Sequence, residues 1–236
     1  MEKLLVTAHV VTFNNRNTIV SCIESLLRQE QLEPEVRLDV CVTDNSSSDG
    51  TPDLLRAVFG SRISLHCNKA NLGFAAAQNE GCARALAQNS DYVFLFNPDA
   101  ALASGALREL VNALQADSSC GSACPKLLRS NDSLLPLSPP IIDAAGMYFT
   151  PALRHFDRGS SEQDNGCFEK KGYVFGASGA ALLIRRSFIY DVSITPEGSS
   201  EGVELFDPEF FAYREDADLA WRAQWLGWRC LYVPTA

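Results

Sequence analysis

An α/β fold, with a doubly wound and mostly parallel central sheet flanked by helices, is the architecture this 236-residue sequence predicts. Three features lead to it. Apolar runs of strand character alternate with segments of helical periodicity, and strands joined in that way need helical crossovers and so run parallel. Proline and glycine mark helix boundaries between the runs, as Thr51-Pro52 and Gly60 do. Polar clusters, "TFNN", "TDNSSSDG" and "NPD", close three of the runs, and sheets of this kind bind ligands beyond the carboxyl ends of their strands.

Val6 to Val11 reads as the first strand, and Asn17 or Thr18 caps a helix with Ile19, Cys22, Ile23, Leu26 and Leu27 on one face. Val36, Leu38, Val40 and Val42 alternate as a second strand. A helix follows from Thr51-Pro52 to Gly60, then a short third strand from Ile63 to Cys67. After the loop "NKANLGF" comes an alanine-rich helix from Ala75 to Ala87. Tyr92 to Phe96 is apolar throughout, as a strand buried on both faces is, and it stops abruptly at Asn97-Pro98-Asp99; Ser104 then caps the next helix. From Asn131 to Gly172 the periodicity fades into proline, serine, glycine and charge, which predicts a long excursion or flexible loop. "YVFGASGAALLIRR", Tyr173 to Arg186, resumes as a strand. A polar loop "TPEGSSEGVE" precedes "LFDPEFFAYREDADLAWRAQWLGW", and "RCLYVP" is a closing strand. No internal repeat is present.

The 46% hydrophobic and 21% charged content is that of an ordinary soluble globular protein. A net charge of −9 argues against nonspecific nucleic-acid binding and against docking to anionic lipid. It leaves room for a small anion, because local groups and a metal can invert the local sign. "MEKLLVTAHVV" enters directly into a strand without a signal peptide's apolar region, and no segment reaches transmembrane length. The eight cysteines lack paired CxxC spacing and mostly sit among apolar residues, so they read as buried free thiols in a reducing cytosol. GxGxxG and GxxxxGK[ST] are missing, which argues against dinucleotide redox enzymes and P-loop NTPases, and no GxSxG nucleophile elbow is present. The three histidines, His9, His66 and His155, are too scattered for a zinc site, and His66 reads as a core or edge residue of its strand.

Acidic residues at three places in the sequence, two single aspartates and one cluster, carry the candidate chemistry. Asp99 is either the satisfied end of an Asx-Pro turn or a carboxylate held at a strand end to ligate a hard divalent cation. Asp44 ends its strand in the same way; the serine-rich run after it suits a plain turn, yet a carboxylate there can also accept a hydrogen bond from a ligand's ring N–H. Glu215, Asp216 and Asp218 precede a helix bearing Leu219, Trp221 and Trp225. The helix dipole favours carboxylates at that end, but three so close together repel one another and are more easily explained by a base, a cation or both.

Together, "VVTFNN", "VTDNSSSDGT", "NLGFAAAQNEG", "LFNPDAAL", "GASGAALLIRR", "FFAYREDADLAWR" and "GWRCLYVP" resemble, in order and over nearly the whole chain, a family 2 glycosyltransferase of GT-A fold and its bacterial rhamnosyltransferase-like branch. The resemblance implies one Rossmann-like domain over 1–236, with 1–103 holding the nucleotide sugar and 104–236 facing the acceptor. It assigns Asn97-Pro98-Asp99 to the DxD-type motif: Asp99 to a divalent metal (Mg²⁺ or Mn²⁺) on the donor diphosphate, and Asn97 to the neighbourhood of the ribose. Asn at the first position is usual in this branch. Thr12, Phe13 and Asn14 would line the nucleotide pocket, with Asp44 on the pyrimidine and Asn45 beside it. Asn71 and Gly73 would lie near the nucleotide or its phosphates. Asp216 matches the general base; Gly179, Ala180 and Glu215 would border the acceptor, and Arg222 would face phosphate or acceptor.

The implied reaction is an inverting transfer of a sugar, rhamnose from dTDP-rhamnose by the branch resemblance, to a glycan or glycolipid precursor. It would take place in the cytoplasm, at the inner membrane face where the acceptor is membrane-linked. The alternatives are a UDP-sugar donor and a catalytically inactive nucleotide-sugar-binding scaffold. A nucleotidyltransferase is disfavoured, since "VTFNNRNT" is not the Gly- and Arg-rich loop such enzymes carry. Related chains continue past "VP" into a segment with a histidine that helps ligate the metal. This one stops at Ala236, so the expectation is either a short protein or a truncated one.

Overall fold

The computed structural model describes residues 3–30, 36–152, 154–194 and 203–236. Its first part follows the predicted alternation: β1 (Leu4–Thr12), α1 (Ile19–Glu30), β2 (Val36–Asp44), α2 (Thr51–Phe59), β3 (Ser64–Cys67), α3 (Phe74–Ala87), β4 (Tyr92–Phe96) and α4 (Ala106–Ala116). β1, β2, β3 and β4 are joined by parallel pairings, so all four carboxyl ends point to one edge. The remainder is less regular: β5 (Cys120–Pro125), β6 (Leu127–Leu128), β7 (Ile142–Ala144), β8 (Met147–Phe149), β9 (His155–Asp157), β10 (Gly172–Val174), β11 (Ala181–Arg185), α5 (Arg186–Val192), α6 (Glu215–Trp225) and β12 (Arg229–Val233). The main sheet has eight strands in the order β10-β12-β5-β11-β4-β1-β2-β3. β12 runs parallel to β5, while β11 is antiparallel to β4 and β5, and β10 to β12. The sheet is therefore mixed and mostly parallel, as expected, with two antiparallel strands, β11 inserted beside β4 and β10 at the edge.

Alternating side chains of β4 explain why "YVFLF" has no polar face. Tyr92, Phe94 and Phe96 pack with α1, α2 and α4, whereas Val93 and Leu95 pack on the opposite face with α3, α5 and α6. Each fully buried large apolar side chain, such as Leu107 or Leu110 on α4, contributes about 1.5–3 kcal/mol relative to exposure. All eight cysteines are free, and six of them are buried. His66 lies exposed on the edge strand β3. Among the described residues, no helix is long and apolar enough to cross a membrane.

Several sequence expectations need correction. The residue before α4 is Gly105 in a left-handed conformation, so Ser104 is not its cap. Neither Asn17 nor Thr18 caps α1 through its side chain; the Thr18 hydroxyl donates back to the Asn15 carbonyl. Tyr173–Arg186 is not one strand: it breaks at "FGASGA" into β10 and β11 and continues as α5 from Arg186. The excursion from Asn131 to Gly172 is not a loop throughout, since β7, β8 and β9 lie in it and β8 pairs with β9 as a hairpin. Most of "TPEGSSEGVE", residues 195–202, lies outside the described residues.

A polar knot beneath the sheet edge ties α3 to β1 and β2. His9 is fully buried; its Nδ1 donates to Gln78 Oε1 (2.6 Å), and its Nε2 accepts from the Thr43 hydroxyl (2.9 Å). Burial pushes His9 down to about 4, so the ring is neutral and can play both roles. Gly81 is what lets α3 approach: a Cβ there would lie 2.1 Å from the His9 ring. Gly81→Ala forces that pinned ring or the helix aside, at a cost of about 3 kcal/mol. The gain in helix propensity of roughly 1 kcal/mol offsets only part. We expect a net loss of about 2 kcal/mol, visible in thermal unfolding as a Tm about 4–8 °C lower. An unchanged or higher Tm would show that the contact yields easily.

Candidate active site

A cavity of about 780 Å³ opens at the carboxyl edge of the parallel strands. Its sheet-side wall comes from the loops after β1, β2 and β4 and from the loop before α3. Side chains within those loops hold one another. Asn45 N–H donates to the Thr12 carbonyl (2.8 Å), joining the ends of β1 and β2. Asn14, left-handed at φ 57°, accepts from Ser48 N–H through Oδ1 and donates its own N–H to Ser47 Oγ. Asn45 Nδ2 donates to Asn71 Oδ1 (2.7 Å) and to the Gly73 carbonyl (3.1 Å), which shapes the "NLGF" turn. Gly73 has φ 85°, and a Cβ on it would lie 2.6 Å from the Phe211 carbonyl oxygen and ring. Only glycine suits both the conformation and the contact.

Phe13, Asn45, Asn71, Gly73, Asn97 and Asp99 line this cavity. Thr12, Asn14 and Asp44 do not; they brace it from behind. Thr12 is buried and its hydroxyl donates to Asn15 Oδ1. Asp44 is 1% exposed. Its Oδ2 accepts from Ser47 N–H (2.9 Å), while its Oδ1 is buried with no partner. A buried carboxylate oxygen left unpaired is costly in a free protein; an N–H from a bound ring would remove that cost.

Asp99 stands exposed at the tip of the "NPD" turn, with no hydrogen bond or ion pair to any described residue. The turn itself is firm: Asn97 N–H donates to the Ala180 carbonyl (2.9 Å), and the Asn97 carbonyl accepts from Cys22 Sγ on α1 (3.3 Å). No cluster of three His, Cys, Asp or Glu side chains able to hold a metal occurs among the described residues. A single free carboxylate at a cavity edge nonetheless suits magnesium-like ions, which keep several waters and bind through one or two carboxylates plus substrate phosphates.

A further part of the lining comes from α6 and from the β8–β9 hairpin. Asp216 lies in the first turn of α6; its Oδ1 accepts from Ala217 N–H (2.8 Å) and its Oδ2 from Gly179 N–H (3.4 Å). Gly179 and Ala180 line the cavity beside it. Glu215 also lines it, yet is 6% exposed and has an unpartnered Oε2. Burial, and then the neighbouring Asp216, push its carboxyl above the usual range. Arg222 is not brought to the site. Its guanidinium is held by Asp218 (2.8 Å) and by the carbonyls of Val192 and Leu205, away from the cavity.

Sequence reasoning missed Arg154, His155 and Asp157, which the β8–β9 hairpin brings to this part of the lining. Burial, then Asp216 and Asp143, raise the Asp157 carboxyl, with His155 opposing. It also missed Tyr213 and Arg214, which border the mouth. The alternating "RHFD" was the available signal, but a strand of three residues inside a proline-rich excursion is too short to stand out. Phe211, Tyr213 and Arg214 all have positive φ, a strained backbone of the kind that clusters at functional sites.

The family model for glycosyl transferase family 2 matches residues 7–190. The chain belongs to that family. A relative among curated proteins, the N-acetylglucosaminyl-diphospho-decaprenol L-rhamnosyltransferase of Mycobacterium tuberculosis, is 28% identical over 235 residues, covering 91% of this chain and 70% of its own length. Among solved structures, GalNAc-T7 with UDP, GalNAc and Mn²⁺ superposes with a TM-score of 0.70 at 13% identity, over 98% of this chain and 43% of that one. The mannosyltransferase PcManGT from Pyrobaculum calidifontis with GDP-Man and Mn²⁺ gives a TM-score of 0.60 at 20% identity, over 97% of this chain and 54% of that one. These structural likenesses establish the GT-A fold of this glycosyltransferase family member. The chain spans about half the length of those two solved structures.

Proposed function

We propose that this chain transfers a sugar from a nucleoside-diphosphate donor to a hydroxyl of a cell-surface polysaccharide or glycolipid precursor, with inversion at the anomeric carbon. The observation that carries the reading is that one cavity is shared by the partnerless Asp99 on its sheet side and by Asp216 on its helix side. Rhamnose from dTDP-rhamnose is the favoured donor, by the branch resemblance and the rhamnosyltransferase relative. A UDP-sugar is the alternative. The setting is the cytoplasm, at the inner membrane face.

In this reading the pyrimidine sits over the strand-end loops. Phe13 and Asn71 flank it, and its ring N–H would reach the unpartnered Asp44 oxygen, which lies behind the cavity wall, once the strand-end loop yields around the base. Asp99 is the residue that would hold a divalent cation against the donor diphosphate. When bound, that cation supplies positive charge against which the nucleoside diphosphate can leave. Asp216 accepts the proton of the acceptor hydroxyl as its oxygen bonds to the anomeric carbon. The bond from that carbon to the diphosphate breaks on the opposite face, which inverts the configuration. Gly179, Ala180 and Glu215 border the acceptor, and the helix N-terminus and the two backbone N–H groups keep the Asp216 carboxylate in place.

Calorimetric titration of dTDP and UDP, each with and without Mn²⁺, tests the donor side. Metal-dependent binding is expected, and the tighter nucleotide identifies the donor class. If neither nucleotide binds under any condition, the proposal fails and the chain is not a functional donor site.

A further inference from the structure

We infer that Asn79 and Arg222 are positioning residues for Asp216, the base of the reading above. From two different helices they grip consecutive residues of one segment, and that grip fixes the first turn of α6 relative to the nucleotide side of the cavity. Asn79 is buried on α3, 127 positions from the residue it holds. Its Nδ2 donates to the Phe206 carbonyl (2.8 Å), and its Oδ1 accepts from the Phe206 N–H (2.9 Å). A side-chain amide has both a donor and an acceptor, so it satisfies both backbone groups of that residue at once. Arg222, on α6, takes the residue before. Its guanidinium donates to the carbonyls of Leu205 (2.8 Å) and Val192, and to Asp218 one turn earlier (2.8 Å). A planar guanidinium can hold three acceptors in a fixed arrangement, which a lysine ammonium cannot reproduce. Leu205 and Phe206 are themselves fully buried. The helix that starts at the nucleotide-side loop and the helix that carries the base are thus riveted together through two adjacent residues.

Two routes lead from the rivet to Asp216. Along the chain, Asp207 caps the short turn Pro208–Phe210. The Phe211 carbonyl then accepts from Ala75 N–H (3.2 Å), which lays the segment along the first turn of α3. Phe211, Tyr213 and Arg214 follow with positive φ, and Glu215 and Asp216 come directly after them. Such a backbone persists only where its surroundings over-determine it. The contacts at Phe206 and Phe211 do so from one end, and the Arg214 carbonyl, accepting from Asp218 N–H (3.0 Å), does so from the other. Through space, the Phe206 ring packs against Phe74, with centroids 6.2 Å apart. Phe74 in turn lies against Gly179, where a Cβ would be 3.4 Å from the ring, and Gly179 N–H donates to Asp216 Oδ2 (3.4 Å). Neither Asn79 nor Arg222 lines the cavity. Any effect they have on turnover therefore travels through these contacts, and a reacting group misplaced by about 1 Å can cost about 10²-fold in rate.

The test compares wild type with Asn79→Ala, Arg222→Lys and the double variant. Calorimetry with dTDP and UDP plus Mn²⁺ counts intact nucleotide sites. Nucleotide release from dTDP-rhamnose and from UDP-glucose, with water as the acceptor, measures turnover. Each single variant is expected to keep its full complement of nucleotide sites, with Kd and donor KM within about threefold of wild type, while kcat falls by about 10- to 100-fold. The double variant should be about as slow as the slower single one, because either substitution already opens the rivet, whereas independent damage would multiply. Hydrogen exchange on the free proteins needs no ligand: protection of the Ala217, Asp218 and Leu219 amides should fall in every variant, with β1 and β4 unchanged. Where Asn79→Ala does not fold, Asn79→Ser replaces it, since one short hydroxyl cannot meet both Phe206 groups. Unchanged kcat, a kcat loss matched by an equal loss of nucleotide sites, multiplying effects, or unaltered protection in α6 each overturns the inference. A wild type that neither binds nor releases nucleotide would defeat the functional reading separately, and the exchange experiment still decides whether these two side chains hold α6.

Discussion

Asp216→Asn is expected to lower turnover by about 10²–10⁴-fold while nucleotide binding stays at the wild-type level. The reason lies in what the substitution preserves. Asp216 accepts N–H hydrogen bonds from Ala217 and Gly179, and the asparagine oxygen can keep the shorter of these. The first turn of α6, the Gly179 loop and the cavity shape therefore remain. What disappears is the negative charge and the ability to take a proton. Asp216 belongs to α6 and carries none of the strand-end loop contacts that shape the nucleotide side, so the donor has no reason to bind less well. The measurement is steady-state nucleotide release from the sugar donor at saturating acceptor, alongside calorimetry. A variant within about threefold of wild type would remove Asp216 from the role of base and move attention to Asp157, whose carboxyl shares the cavity.

Asp99→Ala should abolish the metal dependence of nucleotide binding: dTDP or UDP would bind with the same Kd whether or not Mn²⁺ is present. Asp99 has no hydrogen-bond or ion-pair partner among the described residues and is exposed, so its removal orphans no buried group there and stability should move by no more than a surface substitution does, within about 0.5 kcal/mol. The Asn97 and Cys22 contacts hold the turn in place without it. A fall in nucleotide affinity equal with and without metal would mean that Asp99 contacts the nucleotide directly. A metal effect that survives would place the cation on other groups.

The sheet-side half of the site was legible because its signals are local. Val6–Val11, Val36–Val42 and Tyr92–Phe96 are long enough for burial on one or both faces to appear as apolar runs, and the turn chemistry at Asp44 and Asn97-Pro98-Asp99 marks where each strand leaves the sheet. Parallel connection then puts those ends on one edge without further information. The missed elements lack such signals. β5, "CGSACP", is buried along its whole length, but its small residues carry no strand propensity; it became a strand by filling the space between β11 and β12. The break of Tyr173–Arg186 at "FGASGA" follows from pairing, since β10 joins β12 while β11 joins β4 and β5.

Spacing placed Arg222 on the acidic helix, but not which way its side chain would reach; Asp218 one turn away and two carbonyls took it from the cleft. The sequence by itself thus determined the parallel sheet, the edge at which the candidate cavity opens, and the places of Asp44 and Asp99 at strand ends and of Asp216 at the start of α6. Only the tertiary structure decided that the β8–β9 hairpin brings Arg154, His155 and Asp157 to that cavity, and that Arg214 lines it as well. Strand and helix periodicity is written in residues a few positions apart, whereas a three-residue hairpin strand exists only because distant chain packs against it.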